Sequence, residues 1–214
     1  MERWYQEYYS QNWYKNTFLV RRPEQIGQAI NSDEIEWNNI HDSGCNFTCL
    51  AMIIGVDPAR LSSELSSYSY HFFFADSELR AQYLIGKKGG LVWDQNEPYK
   101  KVPKVVIKNF WHTKLGRRTK ITISFKGEIK TKDVTEGKRF IVAARKDGLH
   151  VICGPDNHSH LVAGKIDNEF YIWDPDDSEK PVEKYLKGQV RLNHIFENDI
   201  DEPIEFWKYR VDFT

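Results

Sequence analysis

The run Leu50-Ala-Met-Ile-Ile54 is apolar on every side of a helix, and it constrains the fold more than any other part of the chain. A helix with no polar face must be covered all round, so the rest of the chain has to build layers over it. It follows the polar stretch His41-Asp-Ser-Gly44, in which Asp42 and Ser43 are good cap residues. Gly55 suits the left-handed residue that ends it. Cys45 then falls at or near the helix N-terminus. Unpaired backbone N–H groups and the macrodipole favour an anion there, the state in which a thiol attacks. Cys45 is therefore the candidate nucleophile.

The chain has 214 residues, 40% apolar and 29% charged, which fits one folded domain with a sizeable core, or one domain carrying a long insertion. Its net charge is −1, with both signs spread along the chain, so nothing points to a nucleic-acid partner. The cysteines are Cys45, Cys49 and Cys153. An odd number without a framework argues for a reducing compartment, and no Cys or His grouping has zinc-finger spacing. No metal and no cofactor are expected. The N-terminus lacks the apolar core of a secretory signal, and no run reaches the length of a membrane span. The expectation is a chain made in the cytoplasm. Export by a dedicated secretion machine would leave no mark in it. Oligomeric state is not legible.

Residues 1–36 form an aromatic-rich extension. Trp4, Tyr5, Tyr8, Tyr9, Trp13 and Tyr14 lie close to helical spacing and read as a stripe packed on the main domain, with a substrate or partner surface as the sharper alternative. A short helix is expected at Gln25–Ile30. A second helix is expected over Asp57–Leu65, with Asp57 as cap and Pro58 as first residue, and another over Asp76–Leu84. Gly86–Gly90 is a turn, without the spacing of a phosphate loop. From about Val102 the period shifts toward two. Strands are expected at Val105–Ile107, Lys120–Lys126, Phe140–Ala144, His160–Gly164, Phe170–Trp173 and Gln189–Leu192, with Asp167-Asn168 as a hairpin turn. Helices first and a mainly antiparallel sheet after them give an α+β fold.

A cysteine nucleophile needs a base, a group that orients the base, and donors for an oxyanion. His160 opens a strand after the turn-like Gly154-Pro-Asp-Asn-His-Ser159, and Asp174 ends the next strand. In an antiparallel pair these two positions are neighbours, so Asp174 is expected to orient His160. His158, two residues away, is the rival base. His150 reads as structural or surface, Cys49 as a core thiol, and Cys153 as either a core thiol or a wall of the site. The matches to glycosylation acceptors at Asn46 and Asn157 carry no meaning in the cytoplasm, and Asp174, Asp176 and Asp177 lack calcium-loop spacing.

At these residues the chain resembles the papain-like cysteine peptidase superfamily. More narrowly, it resembles the bacterial branch that includes the double-glycine leader peptidases of bacteriocin exporters. That branch has a catalytic Cys opening a helix as Cys-Gly-x-x-Cys-Leu-x-Met-Ile, against Cys45-Asn-Phe-Thr-Cys-Leu-Ala-Met-Ile53 here. Its strand-opening His and Asp-Pro after a hairpin match His160 and Asp174-Pro175. The resemblance implies a papain-like fold over residues 37–214, with N-terminal helices packed on the sheet and an inserted basic hairpin near 113–136. It also implies an oxyanion amide six residues before the Cys. The branch has Gln there and this chain has Asn39, with Asn38 as its neighbour. Asn46 replaces the usual Gly. The aromatic N-terminus and the tail ending Val211-Asp-Phe-Thr214 have no counterpart, and no transporter follows, so a stand-alone enzyme is expected. The implied activity is peptide hydrolysis through Cys45, His160 and Asp174 on a peptide or protein substrate. A toxin-like effector that deamidates protein side chains or cuts cell-wall peptides is the alternative, and an inactive binding module the second.

Overall fold

The computed structural model describes residues 2–15, 40–67, 72–73, 82–83, 104–155, 158–177, 191–198 and 201–214. It is an α+β fold built on one antiparallel sheet. The strands are β1 (Glu2–Arg3), β4 (Lys104–His112), β5 (Arg117–Thr131), β6 (His150–Gly154), β7 (His160–Ile166), β8 (Glu169–Trp173) and β9 (Ile204–Phe213). The sheet runs β1-β7-β6-β9-β5-β4, with β8 on the free side of β7. β6 and β1 share one edge of β7: Ile152 and Cys153 face Leu161 and His160, while Glu2 and Arg3 face Lys165 and Gly164. A separate pair joins β2 (Phe72–Phe73) to β3 (Gln82–Tyr83).

The helices are α1 (Ile40–Ser43), α2 (Cys45–Ile54), α3 (Pro58–Ser67), α4 (Val134–Lys146) and α5 (Leu192–Asn198). Alternation along the strands creates two cores, one on each face of the sheet. Leu161, Ala163, Tyr171, Trp173, Trp207 and Tyr209 pack with α2 residues such as Phe47 and Leu50. Val162, Phe170, Ile172, Ile204 and Phe206 pack instead with Ile141 and Ala144 of α4 and Ile195 of α5. Covering both faces explains why β7 and β8 read as nearly unbroken apolar runs.

As its composition requires, α2 is buried along its whole length. Its entrance departs from expectation. Asp42 and Ser43 belong to the short α1, and Gly44 caps α2 without a side-chain bond. Glycine is required at 44 because a Cβ there would fall on the carbonyl oxygen of Ile40. Gly55 ends the helix in the left-handed region at φ 76°. α3 begins at Pro58, with Asp57 accepting from the N–H of Arg60 at 3.1 Å. The hairpin turn is at Asp167-Asn168, both with positive φ.

Four expectations need correction. Phe140–Ala144 lies in α4 and not in a strand. Asp133 caps that helix by accepting from Thr135 N–H at 2.8 Å, and of the apolar run Ile141 and Ala144 are buried while Val142 is exposed. Leu192 opens α5, while Arg191 makes only an isolated bridge to Tyr171. Gln82–Tyr83, expected in a helix, is a strand. The segment expected as an inserted hairpin turns at 113–116, but β5 within it pairs with both β4 and β9 and is integral to the sheet. The C-terminal tail is the strand β9, which joins β6 to β5. The helix expected at Gln25–Ile30, the turn at Gly86–Gly90, and Asn38 and Asn39 lie outside the described residues. No helix among the described residues is long and apolar enough to cross a membrane.

The N-terminal residues pack against the main domain, although as a strand at Glu2–Arg3 and a short 3-10 turn at Gln11–Trp13 and not as an α-helix. β1 adds to β7, and Trp4 N–H continues the pairing to Ala163 O at 2.9 Å. Tyr5 is buried, with its hydroxyl 2.9 Å from His150 Nδ1.

Candidate active site

Cys45 is the first residue of α2 and is 7% exposed. Helix geometry leaves the first-turn N–H groups without intrahelical acceptors, so they cluster beside its thiol. One turn on, the Cys49 thiol donates to the carbonyl of Ser159 at 3.7 Å. That contact registers α2 against the segment entering β7, with Ser159 lying between the two histidines. Burial pushes the Cys49 thiol well up, as does the neighbouring Cys45, and burial alone raises Cys153. Both are inert core thiols in character; Cys153 packs on the far side of the sheet with Val162 and Phe206.

His158, His160 and Asp174 meet where β7 begins and β8 ends. The Asp167-Asn168 hairpin brings them together, since Leu161 pairs with Trp173. His158 Nε2 lies 2.6 Å from Asp174 Oδ1, and His160 Nε2 lies 3.6 Å from Oδ2. The two rings stand edge to face, with centroids 4.5 Å apart. The backbone N–H of Asp176 also donates to Asp174 Oδ1, at 2.9 Å.

The two histidines are electrostatically distinct. Burial by itself opposes a charge on His158, but the hydrogen bond to Asp174 and the influence of the neighbouring Asp174 and Cys45 outweigh it and push its pKa up to about 10. His160 is pushed below its ordinary value, first by burial and then by the charge of His158, against the pull of Asp174. Burial raises Asp174, yet its bonds to both imidazoles and their charge hold its carboxyl well below the usual range.

The imidazole whose pKa Cys45 raises is His158, the rival base, while the sequence favoured His160. The pleat supplies the reason. Cross-strand partners share a face, so His160 sits in the strand on the face of its partner Cys153, which packs in the cluster opposite α2. His158 precedes the strand and is free of that alternation. Asp174 lies beside His160 as the hairpin predicts, and it also reaches His158.

Two contributors were not anticipated. Tyr8 places its hydroxyl 2.5 Å from the carbonyl oxygens of both Asp174 and Asp177, and Gln11 N–H donates to Pro175 O at 2.7 Å. The N-terminal segment therefore braces the loop that carries Asp174. Gly154 lets the His158 backbone approach, since a Cβ there would fall on the His158 carbonyl. The crowding of aromatics before residue 15 was the only sequence signal for the brace.

Comparison of the chain with family models, with curated proteins and with solved structures finds no match to any of them.

Proposed function

We propose that this protein is a cysteine hydrolase of papain-like architecture that cleaves an amide bond through an acyl-enzyme on Cys45. One observation carries the reading: a cysteine at the entrance of a buried helix neighbours His158, raising its pKa, and Asp174 holds that imidazole at 2.6 Å. That arrangement supplies a nucleophile, a base and an orienting carboxylate.

In the proposed cycle the proton of Cys45 resides on His158, giving a thiolate–imidazolium pair. Asp174 accepts from Nε2–H of His158, which fixes the ring and leaves Nδ1 to exchange the proton. The thiolate attacks the carbonyl carbon. The oxyanion is met by the backbone N–H groups at the start of α2, with the Asn39 amide as the donor implied by the sequence. His158 passes its proton to the leaving amine as the C–N bond breaks. Water, deprotonated by His158, then attacks the thioester and releases the acid and the thiol. His160, buried and held neutral, orients Asp174 from its other oxygen. Peptide bonds are the first substrate class. Side-chain amides of proteins and cell-wall peptides need the same chemistry.

Labelling with an iodoacetamide probe tests the reading. Cys45 should react far faster than Cys49 or Cys153 at mildly acidic pH, and equally slow labelling of all three would sink the proposal. His158→Ala should lower the selective rate by about a hundred- to ten-thousandfold, the usual worth of an acid–base residue. If His160→Ala does so while His158→Ala does not, the base is His160. Mass spectrometry of treated proteins then separates backbone cleavage from side-chain deamidation.

A further inference from the structure

We propose that His158, His160 and Asp174 form a binding site for a divalent zinc ion. One ligand atom from each lies within 4.8 Å of the others. The measured pairs are 2.6 Å between His158 Nε2 and Asp174 Oδ1, and 3.6 Å between His160 Nε2 and Oδ2. Zinc bonds of 2.0–2.1 Å in a tetrahedron place ligand atoms about 3.4 Å apart, so side-chain shifts of about 1 Å bring the three into coordination. The donor set selects the ion. Two imidazoles and one carboxylate suit zinc, whereas calcium and magnesium require oxygen-rich cages.

The surroundings resemble the outer shell of a metal site. Asp174 is oriented by the Asp176 N–H on Oδ1, which leaves Oδ2 for the ion. Its loop is braced by Tyr8 and Gln11. His160 is fixed at the start of β7 and is 8% exposed, while the side chains of His158 and Asp174 are 23% and 35% exposed and give the ion a path from solvent. Three protein ligands leave the fourth position of a tetrahedron open to solvent. A bound zinc ion occupies the groups that hold His158 in place for Cys45. The metal-bound and hydrolytic states therefore exclude one another. That consequence rests on the hydrolase reading, but the binding site does not.

Calorimetric titration of the full chain with Zn²⁺, after treatment with a chelator, separates the two. One ion per chain is expected. His160→Gln and Asp174→Asn should each weaken binding at least tenfold, and Cys45→Ser, inert as a hydrolase, should still bind one ion. His158→Gln serves as the second imidazole variant should His160→Gln fail to fold, as judged by circular dichroism. Zn²⁺ should also slow labelling of Cys45 in the wild type, reversibly on adding chelator. Absence of one-to-one binding overturns the site. So does unchanged affinity in the folded histidine and aspartate variants, or loss of binding in Cys45→Ser alone, which would indicate ordinary thiol capture. Zinc binding without selective Cys45 labelling would keep the metal site and discard the hydrolase.

Discussion

At the scale of single residues, Gly154 determines where the His158 backbone can lie. A Cβ at 154 would fall on the carbonyl oxygen of His158, so Gly154→Ala must displace the segment that positions the proposed base. Its expected cost is about 1–3 kcal/mol of overpacking, with loss of selective Cys45 labelling in protein that still unfolds cooperatively. Unchanged labelling would detach His158 from the chemistry. His150 makes a second prediction, in pH. Burial, followed by the charge of Arg145, lowers it from 6.5 to about 4, and its Nδ1 lies 2.9 Å from the Tyr5 hydroxyl. Because the folded value lies below the unfolded one, the unfolded chain takes up the proton first as pH falls. Stability is therefore full above about pH 6.5, declines toward pH 4, and loses up to about 3 kcal/mol on this account. His150→Gln should flatten that part of the melting-temperature profile relative to wild type, and parallel profiles would refute it. Sequence singled out Cys45 only by conjunction: a thiol at a helix entrance, a His opening a strand, and an Asp placed opposite that His by one hairpin. It did not decide between His158 and His160, since that choice depends on which residue first obeys the pleat.

Among the elements, the N-terminal segment is the part whose role was least legible. Its aromatics were visible as a packing stripe, but helical spacing concealed that the chain is extended and adds to β7. The approach depends on Gly164, where a Cβ would meet the carbonyl oxygen of Glu2 and the ring of Tyr171. Gly164→Ala should release β1, seen as faster proteolysis within residues 2–14 and a lower melting temperature. Tyr8→Phe is the milder variant. It removes a hydroxyl held by two carbonyls, at about 1 kcal/mol, and should lower kcat more than it changes KM, because the loop it steadies carries Asp174. A rise in KM at constant kcat would instead place Tyr8 in substrate binding. α4 illustrates the opposite difficulty. Phe140-Ile-Val-Ala-Ala144 is too short a run for periodicity to separate a strand from the buried side of a helix. The informative signs lay at its ends: Asp133 with Glu136 in the first turn, and Arg145 and Lys146 in the last.

For the whole molecule, the decisive element is β9, which the sequence presents as a tail although Ile204–Phe213 follows Pro203 and alternates with period two. The α+β class was legible because α2 and α3 precede a run of strand-period segments, although α4 and α5 lie among the strands. The sheet order was not, because pairing the last strand with β5 and β6 is a long-range choice that no local pattern encodes. Those pairings make β9 the only described strand that pairs both with the β4–β5 hairpin and with the β6–β7–β8 strands. β9 also serves both cores, Phe206 on the α4 side and Trp207 and Tyr209 on the α2 side. Loss of β9 therefore divides the sheet and uncovers two cores at once, so a chain ending at Glu202 should show no cooperative thermal transition. Phe206→Ala is the graded form of the same test. The fully buried ring contacts Phe140 and Phe196, and its removal should cost about 3–5 kcal/mol. Because that side of the sheet lies opposite α2, Cys45 labelling in the folded fraction should stay selective. A Phe206→Ala protein that melts like wild type would show that β9 is not the joint between the two halves. One that stays folded yet loses Cys45 selectivity would show that the two faces are coupled through the sheet.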